Sequence, residues 1–197
     1  MTKHSVIKRA DGDDYTVWVH RSFVEVELPE DGGLEKRQSA RLDHSSFVKF
    51  HKSPDTDRCG TNTWYGHTGP SSPTTGGPHA IVRWANSNPS YFEIPREDAR
   101  DVRWHTLVIG GSNTGNNARF SVKRLAADST WTVFIGSDDI RYQTSKAITD
   151  YQRQFADGSW RVEASGGGRC DYYRGPADPH PDRPWVNWEI RKTEVRV

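Results

Sequence analysis

The sequence predicts an all-β protein in which two antiparallel sheets pack as a sandwich, with one short helix. Many segments alternate apolar and polar residues with the period of two that is typical of a half-buried strand. Connections rich in Gly, Pro, Asn and Asp separate these segments. Only 33% of the residues are hydrophobic, but 8 Trp, 7 Tyr and 7 Phe are present, so large rings are expected to supply much of the core.

The first part of the chain combines short strands with one long irregular stretch. The predicted strands are residues 4–9, 15–19, 23–28, 39–42 and 46–51. The strands at 15–19 and 23–28 are separated by a tight connection and are expected to pair. Gly and Pro recur through residues 52–78, which predicts a long loop with one aromatic island at 62–67.

The middle of the chain predicts two hairpins. Residues 80–84 and 90–94 form the first, around a polar connection, and residues 104–109 form a further strand. The second hairpin spans 118–136, with a short polar link at 126–130. Its inner face is expected to carry five bulky apolar residues: Phe120, Val122, Trp131, Val133 and Ile135.

The last part of the chain contains the one predicted helix, residues 145–155, with Ser145 as its cap. Residues 159–164 alternate as a strand, and the glycine run that follows is expected to be flexible. After an irregular stretch at 172–184, residues 185–197 form the last strand, with Trp188 and Ile190 inward. We see no linker or internal repeat, so residues 1–197 are expected to form a single domain.

Phe120–Arg124, a short loop and Thr130–Gly136 form a strand, loop and strand that ends in Gly. This arrangement resembles the concave sheet of concanavalin A-like jelly-roll domains. The resemblance covers about 20 residues and rests on the order of strands. It implies a jelly-roll sandwich and does not identify a function.

Composition and charge narrow the classes of partner. The chain has 27 Lys and Arg against 26 Asp and Glu, without the basic excess that nucleic-acid binding requires. No apolar run approaches the ~18–20 residues needed to cross a membrane. The first residues lack the apolar segment of a signal peptide, so none is expected. The predicted partners are therefore a carbohydrate or a protein surface, with a homo-oligomer as a further possibility.

Aromatic residues in the two irregular stretches are the main candidates for ligand binding. These residues are Trp64, Tyr65, His67, Tyr172 and Tyr173. Rings with a polar tip suit wet interfaces such as sugar faces. Cys59 and Cys170 lie near the two aromatic segments. A disulfide between them would bring these segments together and indicate an extracellular or particle-associated protein, whereas two free thiols would be compatible with the cytoplasm.

Glu163 is the one candidate for catalysis, as a sheet carboxylate like those of sandwich-fold glycosidases or glutamic peptidases. Glycoside hydrolysis needs a second carboxylate, for which Glu93 or Glu189 is the natural partner. No Gly-x-Ser-x-Gly motif is present, and Cys59 has no candidate histidine beyond His67 or His79. Nucleophilic catalysis therefore finds little support in the sequence.

Two acid-rich stretches contain metal-ligating residue types. Asp178, His180 and Asp182 alternate with prolines that favour polyproline II, where alternate residues do not share a face. The stretch 11–14 has three Asp and one Gly but lacks the closing Glu of a calcium loop. Both are interpreted as turns, and no metal or cofactor is expected.

These observations favour a non-catalytic recognition domain that binds carbohydrate through its loop aromatics. A structural or assembly protein of a particle or surface layer is the first alternative. A hydrolase that uses Glu163 is the second. On balance the sequence favours a protein that is not an enzyme.

Overall fold

The computed structural model describes residues 2–8, 14–19, 48–111, 117–173 and 183–195. The described residues form thirteen strands and two α-helices. The helices are α1 (Gly76–Ser87) and α2 (Ser137–Tyr151). The strands are β1 (Thr2–Lys8), β2 (Asp14–Val19), β3 (Lys49–Lys52), β4 (Cys59–Gly66), β5 (Ser90–Ile94), β6 (His105–Gly111), β7 (Asn117–Arg124), β8 (Thr132–Gly136), β9 (Arg153–Gln154), β10 (Trp160–Arg161), β11 (Ala164–Cys170), β12 (Tyr172–Tyr173) and β13 (Trp185–Thr193).

The strands form two packed antiparallel sheets, which confirms the predicted β-sandwich. The larger sheet has seven strands in the order β1-β2-β6-β7-β13-β11-β4, and the smaller has four in the order β12-β8-β5-β3. Buried residues from both sheets and from the helices form one core. Strand β9 pairs with β10 as a separate short ribbon. Neither described helix is long and apolar enough to cross a membrane.

The segment predicted as a hairpin at 118–136 contains two strands that do not pair. Strand β7 lies in the larger sheet between β6 and β13, whereas β8 lies in the smaller sheet between β5 and β12. A 3₁₀ turn at Ala126–Asp128 carries the chain from one sheet to the other. The five residues of the predicted inner face are nevertheless all buried. The alternation of apolar and polar residues therefore identified the buried residues correctly. The buried residues of β7 and those of β8 face the same core from opposite sheets.

The predicted strand at 80–84 is wrong, because these residues belong to helix α1. Ala80, Ile81, Trp84 and Ala85 are buried at helical spacing. The ring of Trp84 lies 6.3 Å from the rings of both Phe50 and Phe92 in the smaller sheet. The predicted hairpin is therefore absent, and β5 pairs with β3 and β8 instead.

Helix α1 also packs closely on the larger sheet. A Cβ atom at Gly77 would come within 2.6 Å of the carbonyl oxygen of Gly110 in β6. These two glycines are therefore needed for the close approach of helix and strand. The helix covers part of the inner face of the larger sheet and contacts the smaller sheet through Trp84.

The predicted helix at 145–155 overlaps α2, but its start is wrong. Helix α2 begins at Ser137 and ends at Tyr151, so the predicted cap Ser145 lies in its interior. The carboxylate of Asp139 accepts hydrogen bonds from the backbone N–H groups of Gly136, Arg58 and Cys59 at 2.7 to 3.0 Å. Burial, opposed by these three donors, raises the pKa of Asp139 to about 7.

Two segments predicted as irregular or flexible are strands. The long loop at 52–78 contains β4 and the first residues of α1, and the glycine run at 166–168 lies inside β11. Of the predicted strand at 159–164, only Trp160 and Arg161 pair with another strand before β11 begins at Ala164. Strand β11 lies between β13 and β4 and pairs with both.

Cys59 and Cys170 are joined by a disulfide between β4 and β11. The two residues are directly opposite each other, with Cα atoms 4.0 Å apart. Of the two states that the sequence left open, the structure shows the bridged one. The disulfide fixes the edge strand β4 to its neighbour.

A buried charged cluster lies where the chain enters β6 and leaves β7. The carboxylate of Glu97 accepts a hydrogen bond from Arg124 at 2.9 Å and lies 2.7 Å from Nε2 of His105. Arg124, 1% exposed, also donates to the carbonyl oxygen of Trp131. Burial lowers the pKa of both His105 and Arg124, against the opposing effect of Glu97. The cluster ties β6 and β7 to the segment before β8.

Several predictions lie outside the described residues. These are the strands at 23–28 and 39–42, the proposed pairing of the first of them, the acid-rich stretch at 178–182, and all but Asp14 of the acid-rich stretch at 11–14. Within the described part, the remaining strands of the first half appear near their predicted positions, as β1, β2 and β3.

Candidate functional site

A groove on the outer face of the larger sheet combines exposed rings with polar groups. It crosses β4, β11 and β13 on the face turned away from the core and has a volume of about 510 Å³. Its rings are Tyr65, 60% exposed, Trp104, 39% exposed, and the half-buried Trp185. Its polar lining includes Thr63, Ser165 and Asn187. We call this feature the outer-face groove; its size is typical of a small-molecule site.

The floor of the outer-face groove is made by glycines of β11. A Cβ atom at Gly167 would collide with the indole ring of Trp185, which lies across it. The Nε1–H of that ring donates a 2.9 Å hydrogen bond to Oδ1 of Asn187. The absence of a side chain at Gly167 therefore lets an aromatic ring lie against the sheet, held by a polar neighbour.

One end of the groove is charged. Glu189 lies on the outer face of β13 but is only 2% exposed, because two arginines cover it. Nη2 of Arg119 donates to Oε1 of Glu189 at 3.0 Å, and Nε of Arg191 lies 3.1 Å from its Oε2. Arg191 Nε also lies 3.6 Å from Oε1 of Glu163. The two arginines and two glutamates balance in charge, and Arg191 lines the groove.

This arrangement decides which carboxylate can partner Glu163. Glu93 is in the smaller sheet, paired with Lys49 at 2.9 Å and His51 at 3.0 Å. Glu189 is instead on the same face as Glu163. The Arg191 guanidinium lies against both carboxylates, and Ser72 donates to Oε2 of Glu163 at 2.9 Å. Of the two predicted partners of Glu163, Glu189 is therefore the one that shares its surroundings.

The predicted binding residues do not share one surface. Trp64 and Tyr65 are consecutive on β4 and therefore point to opposite faces. Trp64 packs on α2, with its ring 5.8 Å from that of Tyr142. Tyr172 packs on Trp131 at 5.1 Å, and the exposed Tyr173 lies on the edge strand of the smaller sheet.

The disulfide does not make the two aromatic segments neighbours as expected. Trp64 is five residues from Cys59, which corresponds to about 16 Å along an extended strand. Of the predicted set, Tyr65 lines the groove, and His67 lies beside it with Nε2 2.8 Å from Oγ of Ser165.

A second cavity, of about 420 Å³, lies between β4 and the start of α2. It is lined by Trp64 and by Asp138 and Asp139, among others. Asp139 is fully engaged by backbone donors, and Asp138 is held by Thr56 at 2.6 Å and Arg141 at 2.9 Å. These two aspartates serve the local fold, so we place the candidate site in the outer-face groove.

The sequence prediction missed Trp104, Trp185, Asn187 and Arg191 as parts of a site. They belong to strands and strand ends that the sequence identified only as structure. One available signal was the glycine run before Cys170, since glycine within a strand often marks close approach by another group. The partner of that approach, Trp185, is 18 residues away from Gly167 in sequence and was not identifiable from spacing.

No known family model matches this chain, and no curated protein is significantly similar to it.

Proposed function

We propose that this protein is a recognition domain that binds carbohydrate in the outer-face groove. The observation that carries the proposal is the set of three rings, Tyr65, Trp104 and Trp185, in one groove where Gly167 leaves room for an aromatic ring against the sheet. Flat aromatic surfaces with exposed faces suit the apolar faces of sugar rings. Three rings in one open groove favour an extended oligosaccharide over a single sugar.

Polar groups beside the rings support the same proposal. Sugar hydroxyls need both donors and acceptors, and the groove presents Thr63, Ser165, Asn187 and Arg191. A volume of about 510 Å³ exceeds that of one pyranose and accommodates several units of a chain in an open groove. The balanced charge of the protein also favours a ligand without a dense array of phosphates.

The disulfide supports a proposal about compartment. Disulfides persist in oxidising surroundings, so we place the working protein outside the cytosol or on a particle. Polysaccharides of cell surfaces are accessible there. A structural or assembly role remains the alternative proposal, which a particle-sized species in light scattering would favour.

A glycan array tests the proposal directly. We expect the wild-type protein to bind a family of oligosaccharides that share a backbone. Tyr65→Ala and Trp104→Ala should each weaken binding at least about tenfold, equivalent to about 1.4 kcal/mol, because each removes a stacking surface. Tyr173→Ala, which removes an exposed ring from the smaller sheet, is the control and should bind normally. Equal binding by all four proteins would refute the groove as the site.

A further inference from the structure

We propose that Ser165 and His67 form a nucleophile and general base that remove O-acyl groups from the carbohydrate bound in the groove. The substrate class rests on the proposed function, whereas the acyl-transfer chemistry rests on the geometry of the two side chains. Ser165 Oγ and His67 Nε2 are 2.8 Å apart. At this separation the hydroxyl can donate to an imidazole nitrogen that carries no proton, which is the contact that a base needs to activate a serine.

The two residues are held by the pairing of β4 and β11. Ser165 is opposite Tyr65 in the register of the two strands, and His67 follows two positions later on the same face. The backbone N–H of His67 donates to the carbonyl oxygen of Glu163 at 2.9 Å, which extends the ladder to the histidine. Ser165 lines the groove, so its hydroxyl is accessible to a bound ligand. The 98-residue separation of the pair explains why no serine-hydrolase motif marks it.

Donors for the developing oxyanion flank the serine. Ser165 is opposite Glu189 on β13, which places Asn187 and Arg191 at the two diagonal positions. Asn187 uses Oδ1 to accept from Trp185, which leaves its Nδ2–H₂ group for a ligand. The Arg191 guanidinium lies with its Nε beside Glu163 and Glu189, and its side chain is 50% exposed. Fixed N–H donors beside the nucleophile are what a tetrahedral intermediate requires.

The reaction proceeds in two balanced steps. Ser165 Oγ attacks the ester carbonyl carbon, its proton passes to His67 Nε2, and the bond from that carbon to the sugar oxygen breaks as His67 protonates the leaving hydroxyl. The acyl group is then bound to Ser165. Water attacks this ester with His67 again as base, which releases the carboxylic acid and restores the serine. No oxidant, metal or cofactor is required.

A fluorophosphonate probe and two substrates test the inference. We expect the full-length protein to be labelled by the probe at Ser165, identified by peptide mass, and to hydrolyse 4-nitrophenyl acetate and release acetate from acetylated xylan. Ser165→Ala should abolish labelling and turnover, and His67→Gln should lower turnover by at least about 100-fold. Ser71→Ala, which removes an exposed serine outside the groove, is the control and should retain both.

The outcomes separate this inference from the proposed function. The acyl-transfer role is overturned if the wild-type protein binds deacetylated xylan or another glycan but is not labelled by the probe. It is also overturned if the Ser165→Ala variant is active. Both results leave the proposed recognition of carbohydrate intact. Labelling and turnover of 4-nitrophenyl acetate without binding of any polysaccharide would support the nucleophile and contradict the carbohydrate ligand. Loss of activity in His67→Gln without a change in its pH profile would contradict the assignment of His67 as the base.

Discussion

Two clusters of carboxylates and arginines lie on the larger sheet, and they differ in how far they are closed to solvent. In the inner cluster, Glu97, His105 and Arg124 are all nearly buried, and both His105 and Arg124 contact the Glu97 carboxylate. Arg124 also satisfies a backbone carbonyl. The exposed Arg103 also lies 3.6 Å from Glu97, but the three groups themselves present little accessible surface to a ligand.

The outer cluster consists of Arg119, Glu163, Glu189 and Arg191, and it is open to solvent on one side. Glu189 is as buried as the inner groups, whereas Arg191 is 50% exposed and lines the groove. Here the buried carboxylate acts as an anchor that orients an arginine toward solvent. The two clusters therefore both contain glutamate and arginine but have different roles. The buried one supports the fold, whereas the one with an exposed arginine can contact a ligand.

The largest predicted difference between the clusters is in stability. Arg124→Met removes the buried cation of Glu97 and leaves only the exposed Arg103, at 3.6 Å, so we expect the free energy of unfolding to fall by about 3–5 kcal/mol. Arg191→Met should cost less than about 1 kcal/mol, because Arg119 still pairs with Glu189. Urea denaturation measures both. Similar losses in the two variants would erase the distinction between the clusters.

The disulfide that supports the outer face should have the next largest effect. The Cys59→Ala/Cys170→Ala double variant removes a cross-link between residues 111 apart, and we expect a loss of about 2–4 kcal/mol. Because the bridge fixes β4 to β11, glycan binding should weaken more than it does in Arg124→Met. Thermal unfolding and calorimetric titration would check this. Unchanged binding would show that the groove does not depend on this cross-link.

A change at the floor of the groove should mainly affect function. Gly167→Ala displaces the indole ring of Trp185, and we expect a loss of about 1 kcal/mol in stability. Glycan affinity should fall at least fivefold because one stacking surface moves. Gly60→Ala, at a position on the same strand pair with open space, is the matched control. A normal affinity for Gly167→Ala would remove Trp185 from the site.

The smallest predicted effect is the pH dependence of the inner cluster. Burial lowers the pKa of His105 from its usual 6.5, so its contribution to stability is present above pH 6.5 and is lost as pH falls through the lower folded value. The difference in unfolding free energy between wild type and His105→Gln should therefore shrink as pH falls from 8 to 5. Asp139 contributes with the opposite sign, because its raised pKa of about 7 removes stability as pH rises. Asp139 is present in both proteins, so its effect on stability cancels when they are compared.

The sequence identified which residues are buried far better than it identified which strands pair with each other. Period two correctly placed Phe120, Val122, Val133 and Ile135 in the core, but it contains no information on which sheet a strand joins. The run Ala80–Trp84 was apolar enough for a strand, and only its packing between two sheets decides that it is helical. The local pattern therefore indicates which face of a segment is buried, whereas tertiary contacts decide which strands pair.

The same limit applied to the site. Tyr65 was found because exposed aromatic residues in a polar stretch stand out. Trp64 stood out equally, although strand alternation turns it to α2. The alternation places Glu189 on the outer face of its strand, yet this residue is almost buried. The reason is that Arg119, on a neighbouring strand, and Arg191 pack over its carboxylate. Grooves form where strands distant in sequence meet, which spacing does not encode.

The most direct test of the central claim uses two consecutive residues of β4. Tyr65→Ala should weaken calorimetric binding of the glycan selected on the array at least about tenfold and leave the thermal midpoint within about 2 °C of wild type. Trp64→Ala should retain binding and lose about 2 kcal/mol of stability, because its ring packs on Tyr142. If instead Trp64→Ala loses binding while Tyr65→Ala binds normally, the ligand is not bound on the outer face and the account is wrong.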